Sequence, residues 1–268
     1  MEERRGKFDA AEGLNRQVLE IRRRVLGPEH PSTLISMHNL AGDERALGHY
    51  AEAEGIFREL LATQRRLLGP EHPDALATMN SLGHVYLSQK RLAESEEIRR
   101  QLLDMSRRVL GPKHPQTLSS MVSLAEVESA EGRHNDAEKL CQEALDAQRQ
   151  VLGTTHVDTL HTQATLANIY ARQGRYRESQ KLQLETLEIS QRVLGSSHPY
   201  VGLGLYGLGK LALKEGDHRK ALDYLRQAID HGLVPDVKME EDEELTPLRS
   251  DPEFETLIAD VQKRAQAK

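Results

Sequence analysis

The sequence has no tryptophan, only three phenylalanines and a single cysteine, Cys141, among its 268 residues. One cysteine cannot form an internal disulfide, so a disulfide-stabilised fold is excluded and a reducing cytoplasm is the expected compartment. No apolar run approaches the roughly 18 residues of a membrane-spanning helix. The charged start "MEERRGKFDAAEG" has no apolar core, so no signal peptide is expected. We therefore expect no contact with a membrane.

A strong charge of one sign is missing from most of the chain. The net charge is −6, and residues 236–268 hold ten acidic and five basic residues. Half of these acids form "EEDEE", Glu240–Glu244, a run typical of a solvated connector. A balanced body with an acidic tail does not suit nucleic-acid binding, which depends on neutralising phosphates. Nucleic acid is therefore not an expected partner.

What the sequence does contain is a repeat of 42 residues. "LGPEHPST" at 26–33 returns as "LGPEHPDA" at 68–75 and "LGPKHPQT" at 110–117, and weakens to "LGTTHVDT" at 152–159 and "LGSSHPYV" at 194–201. Each unit reads as two helices, because apolar residues recur at helical spacing on both sides of a short break. A fixed period of this length indicates a stacked array in which each unit buries a face against its neighbours.

The pattern L-[GA]-x-x-Y-x-x-x-G-x-[YF]-x-x-A is carried most fully by "SLGHVYLSQKRLAES" (81–95) and "TLANIYARQGRYRES" (165–179). It resembles the tetratricopeptide repeat, and the 42-residue form with L-G-x-x-H-P between units is similar to the repeats of kinesin light chains. The resemblance covers residues 5–232 and implies an all-α fold, a right-handed superhelical solenoid of antiparallel helix pairs. Glu44 and Glu128 stand where the pattern has tyrosine, so looser packing is expected there.

The register predicts four segments: a half repeat at 1–29 with a second helix only, five repeats at 30–232, an acidic linker at 233–244 and a C-terminal capping helix at 245–268. "LTPLRSDPEFETL" (245–257) resembles the end of the repeat region of bacterial serine/threonine protein kinases, which implies a closing helix over the last open face. Residues 5–26 lack a first-helix partner. An uncovered apolar face there suggests a fragment of a longer protein or a contact surface for another chain.

The stretch "GLGLYGLGK" (202–210) contains both G-x-G-x-x-G and G-x-x-x-x-G-K, which are patterns of nucleotide sites. Both patterns need a preceding strand, and Leu211 stands where a phosphate-binding loop needs serine or threonine. By register, Gly209 lies inside the first helix of a repeat. It is therefore predicted to allow close packing of helices, and no nucleotide cofactor is expected.

The turn histidines form a ladder of five: His30, His72, His114, His156 and His198. Equivalent points on neighbouring units are about 10 Å apart, while zinc ligands must come within about 2.1 Å of one ion. A role in packing or capping the following helix is expected, and no metal site. Cys141 falls at a core position, where a buried thiol is more typical than a nucleophile. No catalytic set is visible, so an enzyme is not predicted.

Function then depends on a surface, because helical arrays bind extended peptides or partner helices in a concave groove. The resemblance places that groove on first-helix positions, where the candidate binding residues are Asn39, Asn80, His84, Asn168, Arg172, Tyr206, Lys210 and Lys214. The three cations predict that this end favours an acidic or carboxylate-bearing segment. The run Glu240–Glu244 can itself lie there as a weak internal competitor. Ordinary solvated charges are the alternative reading.

Two functions from different classes follow. The first is a non-catalytic scaffold that binds a protein or peptide on the concave face. The second is a regulatory or dimerisation segment of a larger bacterial signalling protein, such as a serine/threonine kinase, that associates through the open N-terminal end.

Overall fold

The computed structural model describes residues 2–231, 233, 239–240 and 242–266, and the surroundings of side chains 13–231, 233, 239–240 and 242–263. Residues 232, 234–238 and 241, which belong to the predicted last repeat and acidic linker, lie outside the described residues, as do residues 1, 267 and 268. The α-helices are α1 Glu2–Leu26, α2 Pro31–Leu47, α3 Tyr50–Leu68, α4 Pro73–Ser88, α5 Leu92–Leu110, α6 Pro115–Ala130, α7 His134–Val151, α8 Val157–Arg172, α9 Tyr176–Leu194, α10 Pro199–Lys214, α11 His218–Asp230 and α12 Pro252–Gln266. A 3₁₀ helix occupies Glu243–Leu248. No strand occurs within these described ranges.

The helices form two compact units, Glu2–Arg133 and His134–Lys268. In the N-terminal unit each helix from α1 to α6 packs against the next one along the chain. The C-terminal unit repeats this arrangement from α7 to α12, and the 3₁₀ helix contacts α10. The predicted all-α fold of consecutive helix pairs is confirmed within each unit.

The regular spacing of the turns along the chain has a local cause, which the turn before α6 illustrates. Gly111 has a φ of 92°, a left-handed conformation that only glycine adopts easily, so α5 ends at the preceding residue. His114 then caps α6, because its Nδ1 accepts a hydrogen bond from the backbone N–H of Gln116 at 3.2 Å. Pro115 follows at the first position of the helix. The other four turn histidines cap their helices in the same way, which confirms the expected capping role.

The glycines of the nucleotide-like stretch lie within helix α10. A Cβ atom added at Gly209 would lie 3.1 Å from the Leu225 side chain and 3.3 Å from the Ala221 carbonyl oxygen. Both distances are shorter than ordinary van der Waals contacts. Helix α10 can therefore approach α11 this closely only because residue 209 has no side chain. The predicted close-packing role of Gly209 is confirmed.

Two glycine substitutions in α10 should therefore have opposite effects. We expect Gly209→Leu to lower the free energy of unfolding by about 3 kcal/mol, because the new side chain overpacks the contact with α11. Gly204→Ala should raise it by about 1 kcal/mol, since a helix prefers alanine and the added Cβ meets Leu187 at an ordinary 3.5 Å. Urea denaturation measures both, and the prediction fails if the two substitutions shift stability in the same direction.

The two glutamates at tyrosine positions are buried. Glu44 is 1% exposed and pairs with Arg16 of α1 at 2.6 Å. Glu128 is 5% exposed and pairs with Arg100 of α5 at 2.9 Å. In both cases the arginine stands 28 residues before the glutamate, on the preceding second helix. The looser packing expected at these positions is not seen at either side chain, because an ion pair takes the place of the ring.

Candidate functional site

The eight candidate residues on first helices fall into two groups. Three belong to the N-terminal unit: Asn39 on α2, and Asn80 and His84 on α4. Five belong to the C-terminal unit: Asn168 and Arg172 on α8, and Tyr206, Lys210 and Lys214 on α10. The α10 residues follow at intervals of four, so they lie on one side of the helix. We call these three residues the α10 site.

The structure places two carboxylates of the acidic run against the α10 site. Asp242 Oδ2 accepts a hydrogen bond from the Tyr206 hydroxyl at 2.5 Å and lies 3.3 Å from Lys210 Nζ. Glu244 forms ion pairs with Lys210 and, at 3.3 Å, with Lys214. The acidic run therefore does lie on these cations, through the segment Asp242–Glu244, which we call the acidic turn. The prediction of a solvated connector is wrong for these two side chains, because both form hydrogen bonds or ion pairs with side chains of α10.

Burial and neighbouring groups shift the pKa of each acid in this contact, in the same direction for Tyr206 and in opposite directions for the two carboxylates. Burial raises the pKa of Tyr206, and the Asp242 carboxylate raises it further, so the phenol remains a hydrogen-bond donor. Burial alone would raise the pKa of Asp242, but Tyr206, the Glu244 amide and Lys210 outweigh it and lower the pKa. For Glu244, burial also acts upwards, while Lys210 and Lys214 hold the pKa below its ordinary value. Both carboxylates are thus held in their charged form.

Acid should release the acidic turn from α10. Free aspartate and glutamate have pKa values of about 3.9 and 4.3. The contact lowers the pKa of both carboxyl groups, so it stabilises the folded structure fully above this range. That stabilisation is lost as the pH falls through the lowered pKa values. Carboxyl ¹³C shifts recorded from pH 7 downwards should show both groups titrating below their ordinary pKa. Midpoints at or above the ordinary values would contradict the prediction.

In the N-terminal unit, a buried arginine lies behind one candidate residue. Arg99 of α5 is 1% exposed, and its Nη2 lies 3.1 Å from Nδ1 of His84. Because arginine only donates, His84 accepts at Nδ1 and its ring proton is on Nε2. Gly83 provides room, since a Cβ there would come within 3.3 Å of the Arg99 side chain. The repeat pattern did not identify Arg99, although the residues at the equivalent positions of two other repeats are Phe57 and Cys141, so that an arginine here departs from the pattern.

An apolar stripe is exposed along α1. Leu14, Ile21 and Val25 are 63%, 53% and 68% exposed, and Val18 lies on the same side of the helix. The sequence predicted an uncovered apolar face on this helix because it lacks a first-helix partner within the repeat register. The exposure of Leu14 and Ile21 agrees with that expectation, while Val25 stands at a position that is also exposed in the later repeats, at Leu67, Val109, Val151 and Val193.

One group of side chains has the spacing of a metal site, but an arginine already balances the charge of its buried glutamate. The ligand atoms of Glu44, His49 and Glu52 all lie within 4.8 Å of one another. Glu44, however, already pairs with Arg16 at 2.6 Å, and its other oxygen lies 2.8 Å from His49 Nδ1. The arginine supplies the positive charge that a cation would bring, so this group does not favour a metal ion.

Within the part of the chain that the structure describes, no helix has the length and apolar character needed to cross a membrane.

Comparison with known proteins supports the resemblance read from the repeats. The family model described as the tetratricopeptide repeat matches residues 1–65, 41–97, 74–137, 119–178 and 159–231. No curated protein matches the chain. A solved Podosopora anserina protein of the kinesin light chain type, with nearly identical TPR-like repeats, is 28% identical with a TM-score of 0.60, over 75% of this chain and 96% of that chain. The expected similarity to kinesin-light-chain-like repeats is confirmed.

Two further solved structures share the fold at lower identity. BtubC (BKLC) from P. vanneervenii is 19% identical with a TM-score of 0.67, over 84% of this chain and 90% of that chain. A Rap protein in complex with competence and sporulation factor is 13% identical with a TM-score of 0.65, over 87% of this chain and 64% of that chain. At these identities the likeness shows a common arrangement of helices.

Proposed function

This chain belongs to the tetratricopeptide repeat family, and from that premise we propose that it is a non-catalytic scaffold that binds a protein or peptide segment along its first helices. Members of this family are generally interaction scaffolds, and the Rap protein that shares the fold is itself in complex with competence and sporulation factor. The observation that carries the proposal is the α10 site, where first-helix side chains hold carboxylates of an acidic segment of polypeptide. The proposal includes the four predicted segments: the half repeat at 1–29, the five repeats at 30–232, the acidic linker at 233–244 and the capping helix at 245–268.

The proposed partner is acidic at the end that meets the C-terminal unit. Arg172 lies exposed on α8, and Lys210 and Lys214 lie 38 and 42 residues further along the chain on α10. Asn168 of α8 is suited to hold the backbone of this partner, because an amide side chain offers both a donor and an acceptor. Asn80 of α4 offers the same groups to a segment bound on the N-terminal unit. Each exposed ion pair contributes only about 0–1 kcal/mol, so affinity depends on several of them acting together.

A random peptide library presented to the intact chain, followed by affinity measurements, tests the proposal. Replacing Arg172, Lys210 and Lys214 together by alanine should weaken binding of a selected acidic peptide about tenfold at low salt, and less at moderate salt. The matched control removes three exposed cations from second helices of the same unit: Lys139, Arg177 and Lys181. This control should change affinity less than about twofold. The proposal fails if the library yields no ligand, or if both triple variants bind alike.

The exposed stripe on α1 favours a second function, association through the N-terminal end. Burying Leu14, Ile21 and Val25 against another helix would remove apolar area from water. Sedimentation analysis of the Leu14→Ser/Ile21→Ser variant tests this function separately from the first helices. Association lost in the variant supports it, and a parent chain that stays monomeric at high concentration rules it out.

A further inference from the structure

The α10 site and the acidic turn match each other in number, charge and spacing. Asp242 bridges Tyr206 and Lys210, and Glu244 bridges Lys210 and Lys214. Each four-residue interval on α10, from Tyr206 to Lys210 and from Lys210 to Lys214, is therefore bridged by one carboxylate. The two carboxylates are two residues apart in the turn. Every member of the α10 site has an acidic partner from within the chain.

The two carboxylates lie on either side of the start of the 3₁₀ helix. Asp242 has an extended backbone, with φ −69° and ψ 115°, and Glu243 and Glu244 are the first residues of the 3₁₀ helix. The Asp242 side chain caps that helix by accepting a hydrogen bond from the Glu244 backbone N–H at 2.8 Å. In this conformation, carboxylates at positions i and i+2 reach three side chains that follow one another at intervals of four on α10. The spacing of the carboxylates, as well as their charge, therefore fits the α10 site.

The acidic turn is anchored on both sides. Met239 before the turn, and Leu245 and Leu248 after it, are fully buried in the same apolar cluster as α10 and α11. The contacts of Asp242 and Glu244 are polar and partly exposed, with 21% and 42% of the side chains accessible. The two carboxylates can therefore turn away from α10 while these apolar anchors keep the backbone on either side in place.

We propose that the acidic turn is a built-in occupant of the α10 site, and that the partner of this site is an acidic segment with carboxylates two residues apart that displaces the carboxylates of the turn. The inference rests on the proposed function and specifies its ligand and its regulation. A tethered competitor acts at an effective concentration in the millimolar range, so it lowers the affinity of every ligand that uses the same cations. Binding of the partner releases Asp242 and Glu244.

The test uses the full chain and a fluorescent peptide with the chain's own sequence 239–251, MEEDEELTPLRSD. The opened variant is Asp242→Asn/Glu244→Gln, in which asparagine can still cap the 3₁₀ helix through its side-chain oxygen. The matched control is Glu240→Gln/Glu243→Gln, which removes the same charge from the same run. Among the described residues, no hydrogen bond or ion pair joins Glu240 or Glu243 to α10.

Fluorescence anisotropy at low salt should show at least tenfold tighter binding to the opened variant than to the parent, and less than twofold change in the control. A peptide carrying asparagine and glutamine at the places of Asp242 and Glu244 should bind at least tenfold more weakly. Adding Lys210→Gln and Lys214→Gln to the opened variant should remove the gain. Equal affinity of parent and opened variant overturns the inference, as does a control that gains as much as the opened variant.

A second measurement needs no substitution, and so does not depend on how the opened variant folds. In the ¹⁵N-labelled parent, saturating peptide should move the amide signals of Asp242 and Glu244 as their carboxylates leave α10. A peptide that binds while these signals stay fixed overturns the inference and leaves the scaffold function standing. Failure of the scaffold function is distinct, because the library then yields no ligand for the parent or for the opened variant.

Discussion

Replacing Phe254 and Leu257 together by alanine should lower the free energy of unfolding by about 5 kcal/mol. Both side chains are almost fully buried, at 2% and 4% exposed, in a cluster with Leu222, Leu225 and Ile229 of α11. The substitution leaves a cavity between α12 and the last helix pair, and the apolar face of α11 becomes accessible to water. Chemical denaturation measures the loss, and light scattering should show aggregation at lower temperature than in the parent.

The same helix provides the control. Glu255 and Asp260 of α12 are exposed, and their joint replacement by alanine should change stability by less than about 0.5 kcal/mol. If the Phe254→Ala/Leu257→Ala variant keeps the stability of this control and stays monomeric, α12 is a tail that contributes nothing to the C-terminal unit.

Arg100→Ala should lower the free energy of unfolding by about 3 kcal/mol. The substitution removes the partner at 2.9 Å from Glu128, whose carboxylate is buried between α5 and α6. It also removes the pair between Arg100 and Glu96 at 2.7 Å on the surface of α5. The pair with Glu128 dominates the effect because its carboxylate is buried, whereas an exposed pair contributes only about 0–1 kcal/mol.

Arg58 offers a matched control, since it stands 42 residues before Arg100 at the same position of the repeat. The residue 28 positions after Arg58 is Tyr86, so the buried carboxylate that pairs with Arg100 has no equivalent here. The nearby Glu54 has a second, closer partner in Arg91 at 2.6 Å. Arg58 is 66% exposed and lies 3.5 Å from Glu54. Arg58→Ala should therefore cost less than about 1 kcal/mol in urea denaturation. Equal losses for the two substitutions would show that the Arg100–Glu128 pair has no special role.

The helices and their turns could be predicted because their causes are local. A glycine such as Gly111 ends one helix, and His114 and Pro115 begin the next within a few residues. The register of 42 residues then placed Gly209 inside a helix, against the nucleotide pattern that its neighbours spell. The candidate site was predicted less completely than the helices. The repeat register identified Lys210 and Lys214 of α10 as candidate residues, but it did not identify Arg99.

The sequence by itself determined the number of helices in each repeat, where they begin and end, and which family the repeats resemble, since these depend on spacing within one unit. Only the tertiary structure decided which charges meet. Glu44 and Glu128 find their arginines 28 residues earlier, and Asp242 finds Tyr206 36 residues earlier. The repeat register shows where such a charged residue lies in its helix, but it does not show its partner. Whether the charge is solvated or paired depends on the distance between helices that pack side by side. That distance is set by packing in three dimensions, which is why a run that reads as a connector contains the occupant of the α10 site.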